Sequence, residues 1–329
     1  MLSKTVHAIL NILSEQKDII GSRELSRMLK LHGVELTERT VRYHLKILDE
    51  KGYTQVFGKE GRKITKRGIE ELARSHVSDR VGFIISKIEN LSYGTSFDIN
   101  SGQGEMVVNV SYFPANDARE ALKVMKKVFS SPYVMSDKVV MARAGEIIGN
   151  REIPEGKIGI GTMCTITINS VLQKAGIPVT SRFGGLLQVT EEGPRRFTAI
   201  VSYEGSSLDP HLIFIKSRMT TVNDLVKHGE GNILASFREI PVASLAQAEE
   251  IKAKLNEYGM GGILTIGEPN SPLLEIPVGL DRAGLCVVGG LNPIAALEES
   301  GIETTSSAMS DLVEYSELIP FKEAAKDFS

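Results

Sequence analysis

The sequence predicts an α+β protein: an N-terminal winged helix-turn-helix, then a mixed α/β domain made of two similar halves. Three observations predict it. Charge divides unevenly along the 329 residues: positions 1–80 hold 16 Lys and Arg against 11 Asp and Glu, whereas positions 81–329 hold 22 against 30. Three amphipathic helical segments at the start are followed at once by a hairpin pattern. Beyond them, short motifs recur in the same order at a nearly constant offset. Hydrophobic residues are 42% of the chain and charged residues 24%, enough apolar surface for a real core.

In the basic head, Val6, Ile9, Leu10 and Leu13 share one face of a helix over 4–15. After the break at Ile20-Gly21, Ser22 is the expected cap of a second helix, 23–31, ended by Gly33. Thr37 caps a third, 38–51, with Val41, Leu45 and Leu48 inward and Gly52 beyond its end. Tyr53–Phe57 reads as a strand, Gly58-Lys59-Glu60-Gly61 as a turn and Arg62–Thr65 as the returning strand. A hairpin directly after a recognition helix is a wing. Lys66–Arg74 then reads as a closing helix with Gly68 as a weak point.

The outward positions of the third helix are Arg39, Thr40, Arg42, Tyr43 and Lys46, a set suited to base edges and phosphates in a major groove. Lys59, Arg62 and Lys63 on the wing are placed for backbone or minor-groove contact. Double-stranded DNA is the partner these charges imply, against a winged helix used for protein contacts.

The polar stretch 74–79 marks a boundary. The head is assigned to 1–75, a connecting segment to 76–91 through Val81, Ile84, Ile85 and Ile88, and the body to 92–329. Gly102, Gly104 and Pro114 recur as Gly229, Gly231 and Pro241, an offset of 127. Glu152-Ile-Pro-Glu-Gly156 recurs as Glu275-Ile-Pro-Val-Gly279, an offset of 123, and Gly176-Ile-Pro-Val-Thr-Ser181 as Gly301-Ile-Glu-Thr-Thr-Ser306, an offset of 125. The halves are expected at about 92–205 and 220–329. Each reads as strand, helix, strand, further strand and second helix. In the first, a strand over 105–112 precedes a helix opened by Asn116 and a strand over 134–141. In the second, a strand over 232–238 precedes a helix capped by Ser244 with Gln247 completing a capping box, then a strand over 262–266.

Each half also has a glycine-led segment before a helix, Gly159-Ile-Gly161-Thr162 and Gly289-Gly290-Leu-Asn292-Pro293, with Asn292 as cap. Backbone N–H groups at a helix start favour carboxylate or phosphate, and tight turns before buried helices explain the glycines equally well. The halves differ after Thr-Ser: Arg182-Phe183-Gly184-Gly185 stands where the second has Ser307-Ala308-Met309-Ser310. An arginine beside a diglycine suits a carboxylate approached closely by backbone. The candidate ligand-binding residues are therefore Thr162, Cys164, Thr165, Arg182, Gly184 and Gly185, with Cys164 as a weak donor rather than a nucleophile.

The order of winged helix, connecting segment and body carrying Gly-Ile-Gly-Thr-Met-Cys-Thr-Ile-Thr-Ile-Asn-Ser (159–170) and Ser-Arg-Phe-Gly-Gly-Leu (181–186) resembles the NrpR nitrogen-regulatory repressors of methanogenic archaea. The resemblance implies an effector-binding and oligomerisation domain, repression of nitrogen-fixation and nitrogen-assimilation genes at palindromic operators, and release by 2-oxoglutarate. It also implies a homo-oligomer, a dimer matching a two-fold site. Several members carry two effector domains and this chain has room for one, as in shorter members that act with a second chain bearing only that domain.

Other classes are expected to be absent. Cys164 and Cys286 alone make neither a disulfide framework nor a cysteine zinc module, and His211 and His228 lack metal spacing. With no acid–base pair, no nucleophile with its base and no cofactor fingerprint, the sequence reads as a non-enzyme without cofactor. The absence of an apolar run of about 18 residues or of a signal-peptide core reads as a cytoplasmic, non-membrane protein. Two readings compete with the repressor: a metabolite-processing enzyme with an appended DNA-binding head, and a constitutive DNA-binding oligomer.

Overall fold

The structure is a computed structural model that describes residues 4–16, 18–31, 34–74 and 82–328. The chain divides into two compact units, one up to residue 81 and one from Gly82 onward.

The first unit has helices α1 (Lys4–Glu15), α2 (Ser22–Leu31) and α3 (Glu38–Glu50), the antiparallel hairpin β1 (Thr54–Phe57) and β2 (Gly61–Ile64), and α4 (Lys66–Arg74). Its core is the expected stripe set: Ile9, Leu10 and Leu13 of α1, Leu25 and Leu29 of α2, and Val41, Leu45 and Leu48 of α3 are buried together with Ile20. Thr37 caps α3, its hydroxyl accepting the N–H of Thr40 at 3.2 Å. Gly33 lies outside the described residues, as does most of the 74–79 boundary.

The wing is anchored through a third short strand position, where Ile20 and Arg62 exchange both main-chain hydrogen bonds at 3.1 and 3.0 Å. A Cβ on Gly61 would stand 2.2 Å from the Ile20 carbonyl, and its φ of +145° is foreign to L side chains, so only glycine allows this approach. Gly68 is not the expected weak point. Its missing side chain lets α4 lie on the Tyr53 carbonyl, 2.2 Å from where a Cβ would be.

The second unit opens with α5 (Phe83–Gly94), whose Ile84 and Ile88 join the core of the body. The first half then runs β3 (Glu105–Pro114), α6 (Ala118–Phe129), β4 (Lys138–Arg143), the small hairpin β5 (Ile147–Ile148) and β6 (Arg151–Glu152), β7 (Lys157–Met163), α7 (Ile166–Lys174) and β8 (Thr180–Thr190). β9 (Gly193–Ser202), α8 (Pro210–Lys216) and α9 (Val222–His228) lead to the second half: β10 (Gly231–Pro241), α10 (Leu245–Glu257), β11 (Ile263–Ile266), β12 (Arg282–Val288), α11 (Asn292–Glu299) and β13 (Thr305–Glu314). β14 (Ile319–Pro320) and α12 (Phe321–Ala324) follow.

Apart from the β5–β6 hairpin of the first half, element order is therefore the same in both halves, and so is the order of pairing. One sheet runs β13-β3-β7-β4-β14 and the other β11-β12-β10-β8-β9, all antiparallel. The last strand of each half sits in the sheet of the other: β8 pairs with β10, and β13 with β3. The pairings start in the same register, Ser181 facing Arg238 as Ser306 faces Ser111, and diverge at bulges after Ser181 in β8 and after Ser307 in β13. Gly176 and Gly301 end α7 and α11 at φ 81° and 82°. This reciprocal exchange makes the halves interdependent, because neither sheet is complete without the other's strand.

Several local expectations are corrected. Gly159, Gly161 and Thr162 belong to β7 rather than to a helix start; Ile153 and Val140 fill the space beside the two glycines, so the small residues serve packing. Asn292 does not cap α11. It is fully buried, and its side-chain carbonyl accepts the Leu234 N–H at 2.8 Å. Ser244 makes no capping hydrogen bond, and Gln247 instead donates to the Ala175 carbonyl at 2.9 Å. α6 begins at Ala118 after a 3-10 turn rather than at Asn116, and β4 begins at Lys138 rather than Val134 because Val134 and Met135 turn into the core.

Candidate functional site

On the first unit, the face of α3 opposite its buried stripe exposes Arg39, Arg42, Tyr43 and Lys46, with Thr40 half-buried beside the cap. Tyr43 is 64% exposed, a large aromatic held in solvent on a cationic face. Arg42 is not loose: its Nε donates to the Ser22 hydroxyl at 3.1 Å and Nη2 to Glu38 Oε1 at 2.5 Å. The Ser22 hydroxyl and the Arg42 guanidinium hold the Glu38 carboxyl below the usual carboxylate range. Lys46 lies 4.0 Å from Glu50, an exposed pair of little energetic weight.

The wing residues divide. Lys59 is exposed at the turn and Lys63 half-buried on β2. Arg62 is committed elsewhere, its Nε donating to Asp49 Oδ2 at 2.8 Å and Oδ1 at 3.1 Å, with both side chains about four-fifths buried. Thr54 donates to the same carboxylate at 2.6 Å. Arg62 thus braces the wing against α3, which removes it from the free cations available to an anionic partner.

In the body, the start of α7, strands β10 and β13, and the segment leading into α8 enclose a cavity of about 20 Å³, lined among others by Asn109, Cys164, Thr165, Tyr203, His211 and Arg238. Thr165 and Ile166 of the first half and Gly290 and Leu291 of the second, which stand at the repeat offset of 125, all line it, so it lies where the halves meet.

Arg238 is the dominant group. It is 2% exposed, and its hydrogen-bond partners are neutral: the Asn169 side-chain carbonyl, the Ser236 hydroxyl at 2.6 Å and the Thr165 carbonyl at 3.1 Å. None of them is a carboxylate. Burial lowers its pKa, an unfavourable placement for a lone cation. A guanidinium has five N–H donors, and three serve these contacts. A buried guanidinium at a cavity wall has the chemistry to pair with a carboxylate.

The lining also holds one carboxylate, Asp209, whose Oδ1 accepts the Leu212 N–H at 3.1 Å as the cap of α8; the other groups are neutral or weakly polar. His211 Nε2 stands 3.1 Å from the Ala235 carbonyl, which can only accept, so that nitrogen carries the proton. Burial pushes the Cys164 thiol up to about 11, leaving it protonated and non-nucleophilic at neutral pH. Burial raises the Tyr203 hydroxyl as well. Among the described residues no group of three His, Cys, Asp or Glu side chains is placed to hold a metal ion.

The six residues marked in the sequence separate in space. Cys164 and Thr165 line the cavity. Gly184 lies behind its wall, where a Cβ would meet Pro210, the Tyr203 hydroxyl and His211. Gly185 packs under Phe197, and Thr162 is buried in β7 with its hydroxyl unpartnered. Arg182 faces away and is paired with the buried carboxylate of Glu239. The diglycine is mid-strand in β8, so it makes room for protein side chains rather than for a loop-bound ligand. Arg238 went unmarked. Its sequence signal was a charged residue closing the apolar run Ile233-Leu-Ala-Ser-Phe237 in a strand whose core position could be foreseen.

A winged helix with a cationic reading face, joined to a regulatory body built by duplication, is the architecture of a DNA-binding transcription regulator. Comparison with known proteins narrows the class. Residues 7–72 match the ribonuclease R winged-helix domain, and residues 81–319 match the NrpR regulatory domains NRD1 and 2. The chain is 37% identical over 93% of its length to the global nitrogen regulator NrpRI of Methanosarcina mazei, covering 94% of that protein. It is 31% identical to the global nitrogen regulator NrpR of Methanococcus maripaludis and 31% identical to that of Methanocaldococcus jannaschii, spanning only 54% and 56% of their lengths. The crystal structure of a nitrogen repressor-like protein from Methanococcus jannaschii superposes with a TM-score of 0.62 at 30% identity, over 72% of this chain and 97% of that one. This chain belongs to the NrpR family. Among its described residues no helix is long and apolar enough to cross a membrane.

Proposed function

We propose that this protein represses nitrogen-fixation and nitrogen-assimilation genes by binding operator DNA through α3 and the wing, and that a small carboxylate metabolite bound in the body releases it. Arg39, Thr40, Arg42, Tyr43 and Lys46 enter the major groove, and Lys59 and Lys63 meet phosphates. A homodimer presents two such heads to a palindromic site. The relatives named as global nitrogen regulators support the regulatory role.

The observation that carries the ligand reading is Arg238: a buried guanidinium, neutral in all its hydrogen-bond partners, at the wall of an internal cavity. 2-Oxoglutarate is the ligand proposed, with one carboxylate on Arg238. The cavity has room for about one water molecule, so admitting any part of the five-carbon chain requires the wall to part. The bulge at Ser307–Ser310 of β13, where Met309 has a φ of 52°, is the wall segment placed to do so. A ligand that opens one conformation of the body and not the other shifts the balance between them, and operator and ligand then weaken each other by the same factor.

The test is binding of labelled promoter duplexes of nitrogen-assimilation genes, with and without 2-oxoglutarate. Weaker binding with the ligand, and no effect of it on the Arg238→Lys protein, is the expected result. Equal affinity in both conditions for the unmodified protein refutes the switch.

A further inference from the structure

The duplication allows each residue of the cavity to be compared with its counterpart in the other half. Arg238 faces Ser181 on β8 and Leu285 on β12; Ser111 faces Ser306 on β13 and Ile160 on β7. Ser111 is therefore the twin of Arg238. The strand-to-helix crossings match as well: the Cys164 N–H donates to the Val107 carbonyl at 2.9 Å, and the Gly289 N–H to the Leu234 carbonyl at 2.7 Å. Carried into the helices, this register makes Gly290 the twin of Thr165 and Ile294 the twin of Asn169.

The guanidinium and its side-chain acceptor Asn169 have thus no equivalent across the pseudo-two-fold, whereas Ser236 is matched by another polar residue, Asn109. Where the second half supplies Arg238, the first supplies Ser111, whose hydroxyl is satisfied by Ser306 at 2.8 Å. Where the first half supplies Asn169 to accept from the guanidinium, the second supplies the fully buried Ile294. The position of Thr165 is held by Gly290, where a Cβ would stand 2.1 Å from the Met163 carbonyl, so the second crossing packs against the first. An anion at the twin position would meet Ser111 in place of the guanidinium, and a helix start whose buried Asn292 is already bonded to Leu234 and Tyr133.

Building on the reading of Arg238 as a carboxylate receptor, we infer that the duplicated body binds one ligand per chain, in one orientation, with its carboxylate on the second half's Arg238 against the first half's α7. Two ligands related by the pseudo-two-fold are excluded on this account, because one of their carboxylates would be buried without a counter-charge. The body is a fold of two equivalent halves in which one half provides the cation and the other its support.

Native mass spectrometry and isothermal titration calorimetry of the full chain with 2-oxoglutarate test this. The expected stoichiometry is one per chain, with affinity lowered about thirtyfold or more in Arg238→Lys and unchanged in Ser111→Ala, and near-UV circular dichroism showing that both variants are folded. A stoichiometry of two per chain overturns the single-site inference while leaving the effector reading intact. Full binding by folded Arg238→Lys overturns the assignment of the carboxylate to this residue. No binding by the unmodified protein overturns the effector reading itself and the inference with it.

Discussion

Arg238 Nη2 donates to the main-chain carbonyl of Thr165 at 3.1 Å, joining the first strand of the second half to the residue that opens α7 in the first. The contact bridges 73 positions of sequence and ties the cavity wall to a charge that is hydrogen-bonded only to neutral groups, with Asp209 elsewhere in the same lining. Changing that charge acts on ligand binding more than on the fold. Arg238→Lys keeps a cation but loses the planar fork, and is expected to weaken carboxylate binding by about 2 kcal/mol or more. Calorimetric titration measures it; an affinity within twofold of the unmodified protein refutes the role.

The two cysteines predict an alkaline instability. Burial raises the thiols of Cys164 to about 11 and Cys286 to about 12, above their unfolded value. Their contribution to stability is complete below that unfolded value and is lost as pH rises through the folded one. Urea midpoints are expected to fall between about pH 9 and pH 11, and to fall less in a Cys164→Ala, Cys286→Ala protein. A matching decline in both proteins assigns the loss to other groups. In the same folded state neither thiol is expected to react with a disulfide reagent at pH 7.5.

The wing separates structural from DNA-facing arginine and lysine. Arg62→Ala leaves the Asp49 carboxylate without its ion-pair partner, and about 1–3 kcal/mol of head stability is expected to be lost. Lys63→Ala is expected to leave stability nearly unchanged and to lower the salt-dependence slope of DNA binding by about one. Thermal melts and binding across a salt series distinguish the two. An Arg62→Ala protein with unchanged melting and a reduced salt slope would place Arg62 on the DNA after all.

Glycine substitutions probe the meeting of the halves. Gly290→Ala forces a Cβ to 2.1 Å from the Met163 carbonyl, a backbone atom that cannot swing aside, and a loss of about 3 kcal/mol is expected. Gly145→Ala meets nothing within 4 Å and has only its φ of +84° against it, which corresponds to about 1 kcal/mol. Denaturant unfolding of both variants checks the order. The reverse ranking would mean that the strand-to-helix crossings are not in close contact.

Much of this protein was already settled by local pattern. The α3 stripe of Val41, Leu45 and Leu48, the Thr37 cap and the wing turn follow from helical spacing, capping chemistry and glycine placement, all of which act within a few residues. The duplication was visible because Gly176 and Gly301 must each take a left-handed conformation after a helix, which keeps their surroundings alike. Cys164 and Thr165 could be marked because they flank a strand-to-helix crossing. Pairing across space could not be read this way. Whether Arg182 or Arg238 faced a cavity depended on which side of β8 and β10 each side chain left, and on Glu239 lying within reach of Arg182. Arg62 looked like a free cation until Asp49, 13 positions away, was folded against it. The halves exchange their last strands, so the groups around the cavity come from segments more than a hundred residues apart. Sequence spacing carries no record of that proximity; only the assembled sheets bring Arg238, Asn169 and Thr165 together.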